Sequence, residues 1–229
     1  MGANGERLLE VRGLKTYFHT QAGVVKAVDG VSFDLDRGEA LAVVGESGCG
    51  KSTLFDLLMG ILPRDSGRIS LGGREMPDLR GAAAYMSQKD LLPPWKTLRE
   101  NALLPVAVKR TPAAEDNRRA EDLFSLLGLS GREDYFPGQV SGGMAQRCAL
   151  ARTILFDTPV ALLDEPLSAL DAITRRTLRG LLLLLQSRFG KTILMVTHDA
   201  ELADRIPRKI EIVNGNIASD TRAPAITLW

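Results

Sequence analysis

The chain has 229 residues, enough to bury a sizeable core, with 29 basic and 28 acidic residues and a formal charge of +1. That balance excludes the broad positive field that drives nucleic-acid binding, so no nucleic-acid partner is expected. Two cysteines, Cys49 and Cys148, are too few for a disulfide framework and read as reduced thiols. Met1 to Glu10 is polar and has no apolar leader segment, so no secretory signal is expected. Leu8 to Val11 and Val24 to Leu35 alternate apolar with polar residues, which predicts strands of a small antiparallel layer. Tyr17 and Phe18 lie between them, and aromatics near a strand end ordinarily serve packing.

Ala40 to Val44 is an apolar run of buried-strand length that leads into Gly45-Glu46-Ser47-Gly48-Cys49-Gly50-Lys51-Ser52-Thr53, and a helix follows through Leu54, Leu57 and Leu58. The nonapeptide fits G-x-x-x-x-G-K-[ST] in the strand, loop and helix setting that the pattern requires. Its glycines let backbone N–H groups turn toward a triphosphate, and the helix N-terminus adds its dipole. Lys51 then reaches the β/γ-phosphates, and the Ser52 hydroxyl can ligate Mg²⁺. An ordinary glycine turn is the competing explanation, and the strand and helix on either side argue against it.

A further strand is expected near Tyr85, with Gln88 just beyond it. From Lys89 to about Phe156 the pattern turns helical, over Thr97 to Val106, Ala114 to Leu127, and a helix running through Ala149, Leu150, Ala151 and Ile154. This last helix opens on Val140-Ser141-Gly142-Gly143-Met144-Ala145-Gln146-Arg147, where a Ser N-cap and two glycines make a second anion-binding terminus. Val160 to Leu163 is an apolar strand ending in Asp164-Glu165, and adjacent carboxylates there are costly unless a cation or a reaction uses them. A core-packed helix is expected from about Ala172 to Phe189. Its Leu181 to Leu185 run falls far short of the roughly 20 apolar residues that span a bilayer. The strand Ile193 to Val196 ends at Thr197-His198-Asp199. Alternating strands and helices predict an α/β fold with a mainly parallel sheet, its ligand at the carboxyl ends of the strands.

In this order, the phosphate loop, the Ser-Gly-Gly helix opening and the acidic strand resemble the ATP-binding cassette (ABC) ATPases, over essentially the whole chain. The resemblance implies one ATP-binding domain over residues 1–229: a P-loop NTPase core, an N-terminal antiparallel layer and a helical subdomain inserted at about residues 89–156. It implies that Gly45 to Thr53 hold the ATP phosphates and that Ser52, Gln88 and Asp164 serve the Mg²⁺. Glu165 would polarise the attacking water, with His198 as the switch histidine and Gln88 as the Q-loop glutamine. Ser168-Ala169-Leu170-Asp171 resembles the D-loop that crosses the dimer interface. Ser141, Gly142, Gly143 and Met144 would cap the γ-phosphate on a partner subunit, so the site is expected to be shared across a homodimer or a pair of ABC subunits. Phe18 sits where the family stacks an aromatic on adenine, with Tyr17 as the alternative.

The same resemblance implies an ATPase on the cytoplasmic face of the cell membrane, working with separate transmembrane permease subunits and, for an importer, a substrate-binding protein. Leu91-Leu92-Pro93-Pro94-Trp95, the Ser-Gly-Gly-Met signature and Leu170 to Arg175 look like ATPases of bacterial importers for nitrate, sulfonates, taurine and thiamine precursors. Met144 departs from the usual signature Gln, Asp199 to Arg205 is shorter than in those importers, and Thr20 to Val25 is longer. The rival readings are a lipid or lipoprotein extraction ATPase and a soluble, non-transport ABC protein. The latter usually carries a long coiled-coil insertion or two tandem cassettes, and neither is seen here.

Overall fold

The computed structural model describes residues 6–21, 23–168 and 190–222. Two sheets frame the fold. The first has the order β2-β1-β4-β5, built from β1 (Arg7–Thr20), β2 (Gly23–Asp36), β4 (Ser66–Leu71) and β5 (Arg74–Met76), with every pair antiparallel. Leu9 and Val11 on β1 and Val31, Phe33 and Leu35 on β2 bury one face, as the period of two requires. The expected strands are present and longer than their periodic cores, so Tyr17 and Phe18 lie within β1. Half of this layer comes from beyond the phosphate loop, which its N-terminal assignment did not anticipate. Ser66–Leu71 is largely polar with a single fully buried apolar residue, Ile69, so it carries little alternation of its own.

The second sheet has six strands in the order β10-β9-β3-β8-β7-β6. These are β10 (Asn216–Arg222), β9 (Arg208–Val213), β3 (Ala40–Val44), β8 (Thr192–Val196), β7 (Val160–Asp164) and β6 (Ala83–Met86). All neighbours are parallel except the edge strand β10, which runs antiparallel to β9. The central strands read as unbroken apolar runs because both faces are covered. Leu41, Val43, Leu162 and Leu194 join a core shared with the antiparallel sheet and α1 (Lys51–Leu58). Ala42, Leu163 and Met195 point the other way, into the core with the helical layer.

That layer contains α2 (Leu98–Ala107), α3 (Ala114–Leu126) and α4 (Gly142–Leu155), close to the predicted helices. Thr97 and Glu100 form a capping box at the start of α2, with Thr97 Oγ1 accepting from the Glu100 N–H at 3.2 Å and Glu100 Oε2 accepting from the Thr97 N–H at 2.8 Å. Cys148 on α4 is buried, and burial pushes its thiol up to about 12, which suits an inert packing thiol. Both cysteines are free, as expected. Among the described residues no helix is long and apolar enough to cross a membrane. Ala169-Leu170-Asp171 and the helix expected over Ala172 to Phe189 lie outside the described residues.

Candidate functional site

The site forms where β3, β7 and β8 end together. Beyond Val44 the chain turns through the loop to Gly50, which caps α1 at φ +106 with no side-chain hydrogen bond to the first turn. A β-carbon at Gly50 would collide with the Ala27 carbonyl oxygen on β2, so glycine is required both for the left-handed conformation and for the close approach. The loop is stitched by the Cys49 N–H on the Glu46 carbonyl at 3.3 Å and the Gly215 N–H on the Cys49 carbonyl at 3.0 Å. Lys51 folds back over it, donating from Nζ to the carbonyls of Gly45 and Glu46, each at 2.7 Å. A cation and the amide end of a helix therefore share one small volume, an arrangement that attracts anions.

Asp164 closes β7 at 2% exposure, and its Oδ1 has no hydrogen-bond partner. Burial raises its carboxyl above the ordinary range against the lowering effect of the Ser52 hydroxyl, and Glu165 and Asp56 add like charge. A buried carboxylate with an unmet oxygen beside the Ser52 hydroxyl on α1 is a pair of hard oxygen donors that would suit a Mg²⁺ ion. Among the described residues no cluster of three or more His, Cys, Asp or Glu forms a dedicated metal cage.

Glu165 occupies the left-handed region at φ +51, uncommon for a non-glycine residue. Its N–H donates to the Val196 carbonyl at 3.0 Å, and its own carbonyl accepts from the Ser168 N–H at 3.2 Å and from Gln146 Nε2 at 3.0 Å. The turn aims the carboxylate at the end of β8, where Oε2 lies 2.8 Å from His198 Nδ1. A cavity of about 460 Å³ brings Ser47, Gly48, Gly50, Lys51, Ser52 and Thr53 together with Gln88, Glu165 and His198. Residues separated by well over a hundred positions thus line one space.

The Ser-Gly-Gly segment does not line that cavity. Ser141 caps α4, its Oγ accepting from the Met144 N–H at 3.3 Å, and Ser141 and Gly142 are exposed. Arg147 braces this end, donating from Nε to the Gly143 carbonyl at 3.1 Å and from a terminal nitrogen to the Leu127 carbonyl at 2.8 Å. Phe18 does not line the cavity either and stands 40% exposed on β1. Tyr17 is engaged locally: its hydroxyl donates to Asp29 at 2.5 Å and Lys26 lies 5.5 Å from its ring centroid. The Tyr17 hydroxyl, helped by Lys26 and Lys15, holds the Asp29 carboxyl down to about 2.

Two features were not legible in the sequence. A second cavity of about 460 Å³ is largely apolar, lined by Met59, Ala84 and Tyr85 on one side and by Leu104, Val108 and Phe156 on the other. Four separate segments make it, so no local pattern marks it. The other is Gln146, a fully buried amide on α4 whose only sequence signal was a polar residue on the apolar side of a helix.

The family profile described as ABC transporter matches residues 28–168. The chain is 36% identical over 220 residues to the taurine import ATP-binding protein TauB of Roseobacter denitrificans, covering 94% of this chain and 82% of that protein. It is 37% identical over 199 residues to the methionine import ATP-binding protein MetN of Geobacillus kaustophilus, covering 83% of this chain but only 58% of that protein's length. The dimeric structure of a post-hydrolysis state of the ATP-binding cassette MJ0796, bound to ADP and Pi, superposes with a TM-score of 0.86. It is 26% identical, and the match covers 96% of this chain and all of that one.

Proposed function

The chain belongs to the ABC transporter ATPases, and we propose from that membership that it binds and hydrolyses ATP to drive a bacterial importer. One observation carries the reading: the phosphate loop, Gln88, Glu165 and His198 line a single cavity. The triphosphate lies against the open amides of α1, with Lys51 as the cation for its β/γ end. Ser52, Asp164 and Gln88 would hold a Mg²⁺ ion, which supplies positive charge to the phosphates when bound. Glu165 takes a proton from water as the water oxygen bonds to the γ-phosphorus. The bond from that phosphorus to the bridging oxygen breaks, and ADP departs with the electron pair. His198 steadies the Glu165 carboxylate through its 2.8 Å contact.

In this proposal residues 1–229 form one ATP-binding domain, with the helical subdomain at about residues 89–156, and Phe18 stacks on adenine. Tyr17 is already committed to Asp29 and Lys26, which favours its neighbour for that role. Ser141 and Gly142, both exposed, and the half-buried Gly143, none of which lines the phosphate loop cavity of its own chain, serve the nucleotide of a partner copy, so that ATP closes a dimer. Transmembrane permease subunits dock beside Gln88 and the segment 91–101, near the apolar cleft of Tyr85, Leu104 and Val108, and the chain works at the cytoplasmic membrane face. A substrate-binding protein completes the importer.

Lys51→Ala tests the site. ATP turnover of the purified chain is expected to fall at least about a hundredfold with an unchanged melting temperature. Near-normal turnover by the folded variant overturns the assignment.

A further inference from the structure

We propose that Gln146 is a positioning residue for hydrolysis: its side-chain amide fixes the backbone of Glu165 and ties the helix that presents Ser141-Gly142-Gly143 to the residue that activates water. The inference rests on Glu165 being the general base, as proposed above. Gln146 is 1% exposed, and an amide so buried is tolerated only where it is hydrogen-bonded. Its Nε2 donates to the Glu165 carbonyl at 3.0 Å and lies 3.1 Å from Ser168 Oγ.

The partner it holds is a strained one. A glutamate at φ +51 keeps that conformation only where its surroundings over-determine it. Of the three backbone hydrogen bonds described at Glu165, one comes from the end of β8 and one from the Ser168 turn. The third, from Gln146, comes from the helical layer. Ser141, the N-cap of α4, lies little more than one turn before Gln146, so a displacement of that helix end is felt at the Glu165 carbonyl. Since the same backbone sets the aim of the carboxylate toward His198, the helix that reaches toward a partner's nucleotide also adjusts this chain's own base. A Gln that merely filled the core would contribute to stability without acting through Glu165.

Gln146→Leu removes the amide at nearly constant volume. In steady-state hydrolysis of MgATP by the full chain, we expect kcat to fall at least about tenfold while KM for ATP stays within about twofold. In a Glu165→Gln background the same change is expected to cause no further loss, since the residue it acts through is already disabled. An unchanged kcat in folded Gln146→Leu, with Glu165→Gln inactive, overturns the positioning role and leaves the base assignment standing. Wild-type turnover by Glu165→Gln overturns the base assignment itself. Gln146→Met, equally without donors, repeats the measurement if the Leu variant does not fold, and failure of both to fold overturns the proposal in favour of a purely structural role.

Discussion

A carboxylate with 2% exposure and one oxygen without a partner, as at Asp164, costs the free protein stability that a purely structural residue would not. Its raised proton affinity reports the same penalty, dominated by burial. Replacing it with Asn removes the charge and keeps the shape. Asp164→Asn is therefore expected to be more stable than the parent without nucleotide, by on the order of 1 kcal/mol, so to melt at a higher temperature, and to lose ATP turnover. Thermal denaturation beside an ATPase assay checks both, and a lower melting temperature contradicts the burial argument. Glu165 shows a related economy, since a left-handed glutamate is kept by hydrogen bonds to three different segments of the chain.

At the scale of elements, the phosphate loop is a contact between α1 and β2 as much as a local turn. Gly50 approaches the Ala27 carbonyl too closely for any side chain, and the Gly215 hairpin packs against the same stretch of β2. Gly50→Ala is expected to lift α1 off that strand, so that equilibrium binding shows loss of ATP affinity and the melting temperature falls. A variant that binds ATP as the parent does contradicts this account. The motif reading had the loop glycines turning their amides toward a triphosphate, but the close approach of Gly50 to Ala27 needed the packed strand. The boundaries of α2 were legible for a different reason: its Thr97 and Glu100 caps are local contacts three residues apart.

For the whole molecule, the decisive relation is between the phosphate loop cavity and the exposed start of α4, which do not meet within one chain. Glu165→Gln keeps the shape of the proposed base while removing its charge, so bound ATP is expected to persist and to stabilise a dimer by mass action. Solution mass should show a dimer with ATP and a monomer without it. Adding Ser141→Arg should abolish that dimer by crowding the γ-phosphate. An ATP-loaded Glu165→Gln chain that stays monomeric, or a double variant that still dimerises, contradicts the shared site.

The sequence by itself determined whatever depends on neighbours along the chain: the strand and helix either side of Lys51, the Ser141 cap, the apolar run that delivers Asp164 and Glu165, and the span of α2, expected over Thr97 to Val106 and found over Leu98–Ala107. Each is a short-range pattern, readable because hydrogen bonds and side-chain periodicity act over a few residues. Only the tertiary structure decided that Ser66–Leu71 and Arg74–Met76 complete the antiparallel sheet, since the first takes its place from pairing with β1 and the second from pairing with the first. It also decided that Tyr17 is held by Asp29 while Phe18 stays exposed, and that Gln146 reaches Glu165 nineteen positions away. Such contacts depend on how separate elements pack against one another, and no local alternation of apolar and polar residues encodes them.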